Sequence, residues 1–527
     1  MLDCLVTQIE PPPDHTAKQE SQVFRDFLSS HTIILLGDPG VGKTHLFQHT
    51  ARHEGAEYTT VRQFVVFDGE NCEGKTVYLD ALDEFRSRSD NQDTVTNLVR
   101  ILRSLSRPTM RLSCRAADWL GNTDLQIFRQ LAQDNSFAVL RLEPLTEAQI
   151  LHIAQSYYPD DAQNFYQEAM DRGLESLITN PQTLIMLLRV VAGDIWPKTR
   201  KELYERSATL LLTEPSEEHT RKSLGQFEAT ELLDPAGAAS AAILVSGLPG
   251  LSLRPNSPHA DYRSYRHVPF DDPLKVEAAL CRRAFVTVAD EQVTYSHRTV
   301  AEFLAARWLA KKLQQGLPLG RIQSLLCIEG VPTPELRGLH AWLATLSPDH
   351  APVLIGADPY GVLVYGDAAS MSPSLRKALL TALQKLAQVD PWFRAADWTH
   401  KPLGGLSGPE MGEAFRAVLA DVTSGLHLRS VVLDAIRNGP EVPELRNDLL
   451  AILADNTCPY TERYDAFDAL LHVIPGGAHD IVSVFRGQLV GDRSTARLRA
   501  QILAKLYPDS LAIDDLIAVF DLSLIHI

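Results

Sequence analysis

Two short runs in the first third of the chain, 33–36 and 77–79, are apolar at every residue, and Met110–Ser113 and Phe137–Leu142 are further strand candidates that carry Arg111, Ser113 and Arg141 among apolar residues. Runs this short that are apolar on every residue predict strands buried on both faces, as in a parallel sheet. Helix-compatible stretches separate them, the first at 43–53, so the alternation predicts an α/β core over 31–145 behind a short segment, 1–30. The pattern then turns helical. Thr146-Glu147-Ala148-Gln149 is a capping box, and apolar residues keep helical spacing to about 212, broken at Pro159 and Gly173. This predicts a helical lid over 146–225, ending in the polar stretch 213–230. Helices at 235–246 and 274–283, a hairpin of 285–288 with Gln292–Tyr295 around Ala289-Asp290-Glu291, and a helix at 299–312 predict a winged-helix-like domain over 226–315.

From 316 to 527 the pattern is one of short amphipathic helices. Leu375, Leu379, Leu383 and Leu386 share a face, as do Leu428, Val432 and Ile436; Leu445, Leu449, Ile452 and Leu453; and Leu498, Ile502 and Leu506. Breakers such as Asn438-Gly439-Pro440, Asp455-Asn456-Thr457 and Pro475-Gly476-Gly477 divide them. Helix pairs at roughly 40-residue spacing, without an evident sequence repeat, predict a HEAT-like α-solenoid. Residues 357–367, rich in turn formers and aromatics, read as a loop with no chemistry of its own. The last six residues, 522–527, end an amphipathic pattern with apolar side chains where a solenoid needs a polar cap. They resemble a translated adapter from a sequencing library, so the expectation is an incomplete chain with a nonnative end.

Composition narrows the classes. The chain has 527 residues, 45% hydrophobic and 22% charged, which suits a folded protein of about three or four domains. Its net charge of −16 argues against a broad nucleic-acid or anionic-membrane surface. The sparse positive charge of 226–315 favours an internal clamp over a DNA reader. Six scattered cysteines form no C-x-x-C pair, which fits reduced thiols. The longest uncharged run, 235–253, is dominated by Gly, Ala, Ser and Pro and reads as a buried helix and loop rather than a membrane span. With no signal-peptide pattern at the start, the expectation is a cytoplasmic protein.

Against that background one segment carries chemistry. Gly37-Asp38-Pro39-Gly40-Val41-Gly42-Lys43-Thr44 fits G-x-x-x-x-G-K-[ST] between a predicted strand and a predicted helix, the context of a P-loop. Its glycines let backbone N–H groups turn inward, and the helix N-terminus adds positive potential where phosphates sit. Lys43 is placed to reach the β/γ-phosphates and Thr44 to ligate Mg²⁺. The strand at 77–79 ends in Asp80, the position of a second metal-holding acid. Asp83 and Glu84 follow, as groups that orient the attacking water or as a helix cap with a solvated acid. Arg115, after the strand at 110–113, faces the ligand crevice in such sheets, or is a surface charge.

Leu79-Asp80-Ala81-Leu82-Asp83-Glu84 resembles the extended Walker-B segment of NACHT-type STAND NTPases, with Ala81 in place of the usual Gly. Residues 111–119 resemble the sensor strand of bacterial members. Asn180-Pro181-Gln182-Thr183-Leu184 resembles their Asn-Pro-x-x-Leu segment, in which the proline packs against the base. Residues 294–306 resemble their Phe-x-His-x-Ser-Phe-x-Glu-Phe-x-Ala-Ala element, with Tyr295, Thr299 and Val300 departing from it. The histidine of that element contacts the nucleotide phosphates, and its counterpart is His297.

The resemblance implies an α/β P-loop NTPase core followed by mostly α structure. It implies an ATP-binding, slowly hydrolysing switch with ATP/ADP and Mg²⁺ as cofactors. ADP would hold a closed monomer through His297. A protein or ligand trigger on the solenoid would open it to an ATP-bound homo-oligomer, in signalling or anti-phage defence. Two other classes remain open at this stage: a scaffold with a structural nucleotide, and an AAA+-type motor, which needs an arginine acting across subunits.

Overall fold

The computed structural model describes residues 4–10, 22–37, 40–70, 72–82, 91–105, 108–114, 119, 122–132, 136–159, 161–171, 178–191, 196–213, 227–257, 261–289, 292–394, 403–421, 423–473, 478–487, 489, 493–515 and 517. The chain folds as two compact units, Met1–Leu346 and Ser347–Ile527.

The first unit is built on a seven-stranded sheet. Its strands are β1 (Leu5–Glu10), β2 (Gln22–Val23), β3 (Thr32–Leu36), β4 (Glu57–Thr60), β5 (Val77–Asp80), β6 (Met110–Cys114) and β7 (Phe137–Leu142), in the order β2-β1-β7-β3-β6-β5-β4. The five strands from β7 to β4 are parallel, and β1 runs antiparallel to β7. β3, β5 and β6 are buried at every residue; β3 and the first three residues of β5 read as continuous apolar runs, whereas β6 alternates apolar residues with the buried Arg111 and Ser113. Alternate residues serve opposite layers. Ile34, Leu36, Leu79, Leu112 and Val139 pack with Phe64 of α2 (Val61–Val66), Leu98 and Leu102 of α3 (Asn91–Ser104) and Phe128 of α4 (Asn122–Arg129). Ile33, Leu35, Tyr78 and Leu140 pack with Leu46, Phe47 and Ala51 of α1 (Lys43–Glu54). Arg111 is buried within β6, where its guanidinium donates to the carbonyls of Leu28 at 2.7 Å and His31 at 3.2 Å. The short segment before β3, residues 1–30, supplies β1 and β2, which extend this sheet.

After the sheet come α5 (Glu147–Gln155), α6 (Ala162–Asp171), α7 (Pro181–Val191), α8 (Arg200–Thr213) and α9 (Ala229–Ser246). The predicted capping box is present on α5: Thr146 Oγ1 accepts from the Gln149 N–H, and the Gln149 side chain accepts from the Thr146 N–H. A four-stranded sheet follows, in the order β10-β11-β8-β9, from β8 (Gly250–Ser252), β9 (Tyr262–Ser264), β10 (Phe285–Ala289) and β11 (Gln292–Tyr295), with α10 (Pro273–Leu280) between β9 and β10. The hairpin of β10 and β11 is the one read from the sequence. α11 (Arg298–Gln314) packs closely on α9. A Cβ on Gly237 would lie 2.5 Å from the Leu304 carbonyl oxygen, so the small-residue run is the footprint of a tight helix crossing. Asp234 of α9 pairs with Arg307 at 2.8 Å and with Lys311. Among the described residues no helix is long and apolar enough to cross a membrane. The unit closes with α12 (Leu319–Leu326), the short hairpin of β12 (Cys327–Ile328) and β13 (Val331–Pro332), and α13 (Arg337–Leu346).

The second unit is helical: α14 (Ala351–Ala357), α15 (Pro359–Tyr365), α16 (Pro373–Val389), α17 (Gly412–Ala420), α18 (Leu426–Asn438), α19 (Arg446–Ala454), α20 (Tyr460–Val473), α21 (Ala478–Gly487) and α22 (Arg493–Leu506). Residues 357–367, expected as a loop, are mostly helix; Asp358 caps α15 by accepting from the Gly361 N–H at 2.8 Å. From α17 onward each helix packs on the helix two places along, as α18 on α20 and α20 on α22. Equivalent helices begin 32–34 residues apart, at 412, 446 and 478 and at 426, 460 and 493. The roughly 40-residue spacing read from the apolar stripes is therefore corrected to a shorter period. A side-chain pattern repeats with it. Asp421 and Asp455 each accept from the N–H and hydroxyl of the threonine two residues on. Arg429, Arg463 and Arg499 each donate to the carbonyl ten residues upstream, at Leu419, Leu453 and Leu489. The predicted end of the chain, 522–527, lies outside the described residues.

Candidate functional site

Parallel strands in register put their C-terminal ends at one edge of the sheet. Leu36 pairs with both Cys114 and Arg141, and Leu79 with Leu112, so Asp80 comes level with Ser113 beside the loop that follows β3. That loop turns on Gly40 (φ +81°) and Gly42 (φ +98°), in the left-handed region that L side chains rarely enter. Gly42 leads into α1, whose first turn lines a cavity of about 910 Å³ and whose first N–H groups have no partner within the helix. Its volume is that of a small-molecule or cofactor site.

The cavity draws its walls from distant parts of the first unit. Gly40, Val41, Gly42, Lys43, Thr44, Asp80, Pro181 and His297, all singled out from the sequence, line it. Gly37 lies just beneath, its carbonyl accepting from Lys43 Nζ at 2.6 Å. Asp38, Pro39, Asp83, Glu84 and Arg115 lie outside the described residues.

Asp80 is 4% exposed and is held by hydroxyls. Thr44 Oγ1 donates to its Oδ2 at 2.7 Å, Tyr58 OH donates to the same oxygen at 3.0 Å, and Ser113 Oγ donates to Oδ1. Ser113 is itself oriented by the Ala81 N–H, which donates to it at 2.9 Å. Ala81 pays for this arrangement with φ +63°. A left-handed alanine costs about 1–2 kcal/mol, which is the physical reason a glycine suits this position. Thr44 and Asp80 thus bring two hard oxygen donors together, a set that fits Mg²⁺ completed by phosphate and water. Among the described residues no group of three or more His, Cys, Asp or Glu side chains converges as a metal cluster. A Mg²⁺ ion held by one or two protein oxygens needs none.

α7 forms a second wall. Asn180 caps it, its Oδ1 accepting from the N–H groups of Gln182 at 3.0 Å and Thr183 at 3.4 Å, and Pro181 takes the first helical position. The Gln182 N–H donates to the Gly40 carbonyl at 3.3 Å. Its side-chain Nε2 donates to Thr299 Oγ1 at 2.7 Å. One residue therefore ties the glycine loop to the start of α11. A Cβ on Gly40 would meet Gln182 Oε1 at 2.4 Å at a φ of +81°, so a larger residue there would displace the Gln182 side chain and strain the loop.

His297 precedes α11 as its N-cap and faces the cavity. Water reaches the ring, yet the walls strip much of its solvation. This desolvation, and secondarily the positive charge of Arg189, lower its pKa below 6.5, so the ring is neutral at pH 7. Arg189 lines the same cavity from the C-terminal turn of α7.

Tyr58, Ser113, Gln182, Thr299, Glu143 and Arg189 were assigned no role from the sequence. Ser113, Gln182 and Thr299 sat within recognised segments, but only the strand register and the α7–α11 approach show what their side chains do. Neither a protein-family model nor any curated protein sequence matches this chain.

Proposed function

We propose that this chain is a nucleotide-operated switch that binds ATP or ADP with Mg²⁺ in the cavity and hydrolyses ATP slowly. The observation that carries the reading is the Thr44–Asp80 contact at 2.7 Å within a cavity that also collects Gln182 and His297 from beyond the sheet. In this reading the first-turn N–H groups of α1 and the loop backbone cradle the phosphates. Lys43 exchanges the Gly37 carbonyl for phosphate oxygens. Thr44 and Asp80 would hold Mg²⁺, which supplies charge neutralisation at the phosphates. Ser113 and Tyr58 keep the Asp80 carboxylate aimed at Thr44. Asp83 and Glu84 are the proposed water-orienting acids.

The finer architecture belongs to the same proposal. The sheet and its helices act as a P-loop NTPase core. α5–α8 act as a lid, and α9–α11 with the four-stranded sheet as a winged-helix-like clamp. The helical second unit is a HEAT-like sensor. ADP bridging the core and His297 would favour a closed form. A trigger binding the sensor shifts the population only if it prefers the open form, which then takes ATP and self-associates. Signalling or defence against phage is the role the motif resemblance implies.

The test is titration calorimetry of the full chain with ATP and ADP in Mg²⁺, beside Lys43→Ala. Micromolar or tighter binding, lost in the variant while its circular dichroism is kept, is expected. Equal affinity in both proteins would refute a phosphate site at this loop.

A further inference from the structure

Three of the chain's 17 histidines, His45, His49 and His53, stand on α1 at i, i+4 and i+8. That spacing stacks them on one side of the helix, away from Leu46, Phe47 and Ala51, which pack with the sheet. The rings form a regular ladder. The centroids of His45 and His49 are 6.4 Å apart and those of His49 and His53 6.2 Å apart, with an interplanar angle of 32° in each pair. His45 and His53 are exposed and His49 is half-buried. Among the described residues none of the three rings makes a hydrogen bond or an ion pair. Nδ1 of His49 is closed off from solvent, so Nε2 is the nitrogen this ring can offer. The proposed nucleotide chemistry uses none of these rings.

We propose that this ladder binds one divalent transition-metal ion of the zinc class, held by His49 together with either His45 or His53. Two histidines one turn apart on a helix are a recurrent bidentate set for such an ion. Imidazole nitrogen suits zinc, nickel and copper, whereas magnesium takes oxygen. The ladder is therefore chemically distinct from the Thr44–Asp80 oxygen pair. Zinc binds imidazole nitrogen at about 2.0–2.1 Å, so two rings that share it must draw together by roughly 1 Å. Exposed His45 and His53 have room to make that adjustment by side-chain rotation. Among the described residues no group of three or more metal-ligating side chains converges here, so water completes the coordination. His49 offers a single nitrogen, so the two pairs compete and the ladder holds one ion rather than two.

The experiment is zinc binding to the full chain, read by competition with a chromophoric zinc chelator in excess Mg²⁺ and under reducing conditions. His49→Ala breaks both pairs and should weaken ladder binding about 100-fold, the lower end of what a second tethered ligand adds. His45→Ala and His53→Ala each leave one pair and should bind nearly as wild type. The double variant His45→Ala with His53→Ala removes both pairs while keeping half-buried His49, and should lose as much as His49→Ala. Because it changes only exposed side chains, it also gives the answer if His49→Ala fails to fold. Zinc held by thiols is common to all these proteins and drops out of the comparison. Equal zinc affinity in the wild type and the double variant overturns the proposal. A full loss in one single variant alone overturns the shared ladder, and displacement of the ion by Mg²⁺ overturns the assignment to imidazole.

Discussion

The hydrogen bond from Gln182 to Thr299 is the most direct handle on the proposed switch. It joins the helix that seats on the glycine loop to the helix that begins beside His297, at 2.7 Å, and Thr299 is only 6% exposed. Gln182→Ala removes the side-chain link and leaves the backbone contact from residue 182 to the Gly40 carbonyl in place. The lost bond is neutral to neutral, and Gln182 lines the cavity, so water can take its place beside Thr299. The closed form should then lose about 0.5–1.5 kcal/mol, the net worth of such a bond. If opening limits release, bound ADP should leave about 2- to 13-fold faster. Stopped-flow release of a fluorescent ADP analogue measures this. Thr299→Ala should give a similar change, and the double variant little more than either single one, because both remove the same bond. Thr299→Ser keeps the hydroxyl and should behave as wild type. Release rates unchanged in both single variants, or strictly additive in the double, would refute a shared restraint on opening.

His297 makes the site sensitive to pH. Its pKa in the folded chain is lowered, first by desolvation and then by Arg189. The stability it contributes is therefore full above the unfolded value near 6.5 and is lost as pH falls through and below it. If phosphate settles beside it, that pKa rises on binding. ADP should then bind with proton uptake near pH 6, seen by calorimetry in buffers of different ionisation enthalpy, and His297→Gln should abolish the uptake; equal uptake in both proteins would rule out a contact. In the second unit, Arg463 is 1% exposed and donates to the Leu453 carbonyl and Thr495 Oγ1, both at 3.0 Å. Arg463→Ala strands buried acceptors and should cost about 2–4 kcal/mol. The corresponding melting transition should drop by about 4–15 °C in scanning calorimetry, and a change within 2 °C would show that the arginine is dispensable.

β3 and β5 were legible because burial on both faces leaves an unbroken apolar run, whereas β6, equally buried, alternates Met110, Leu112 and Cys114 with Arg111 and Ser113. The edges were not. β4, at one edge, reads Glu57-Tyr58-Thr59-Thr60, half-buried and polar, and β1, covered at the other end only by the two-residue β2, mixes Thr7, Gln8 and Glu10 with apolar residues. Edge strands need little apolar content, so periodicity does not find them. α15 was hidden by its own start signals: Asp358 and Pro359 look like turn residues, yet an acid cap followed by proline at the first position opens a helix. Within the site, the metal-type pair Thr44 and Asp80 followed from spacing along the chain. The hydroxyls around Asp80 did not, because Tyr58 and Ser113 reach it only through the order β6-β5-β4.

The second unit shows why a repeat can escape an apolar-stripe count. Its leucines vary in position from helix to helix, since a core needs volume more than identity. What recurs is polar: Asp421 and Asp455, Thr423 and Thr457, Arg429 and Arg463, and Asp434 and Asp468 each stand 34 residues apart. All but Asp434 and Asp468, which lie within α18 and α20, stand where one helix ends and the next begins. Asp and Thr close the turn, and the arginine occupies a carbonyl that the end of the preceding helix leaves without an intrahelical partner. A helix end has a fixed set of unpaired groups, so the chemistry that satisfies it is restricted and repeats. Registering this chain on its turns rather than its leucines therefore gives the shorter period. It also predicts where substitution will be least tolerated: at the buried arginines, not at the more interchangeable apolar positions between them.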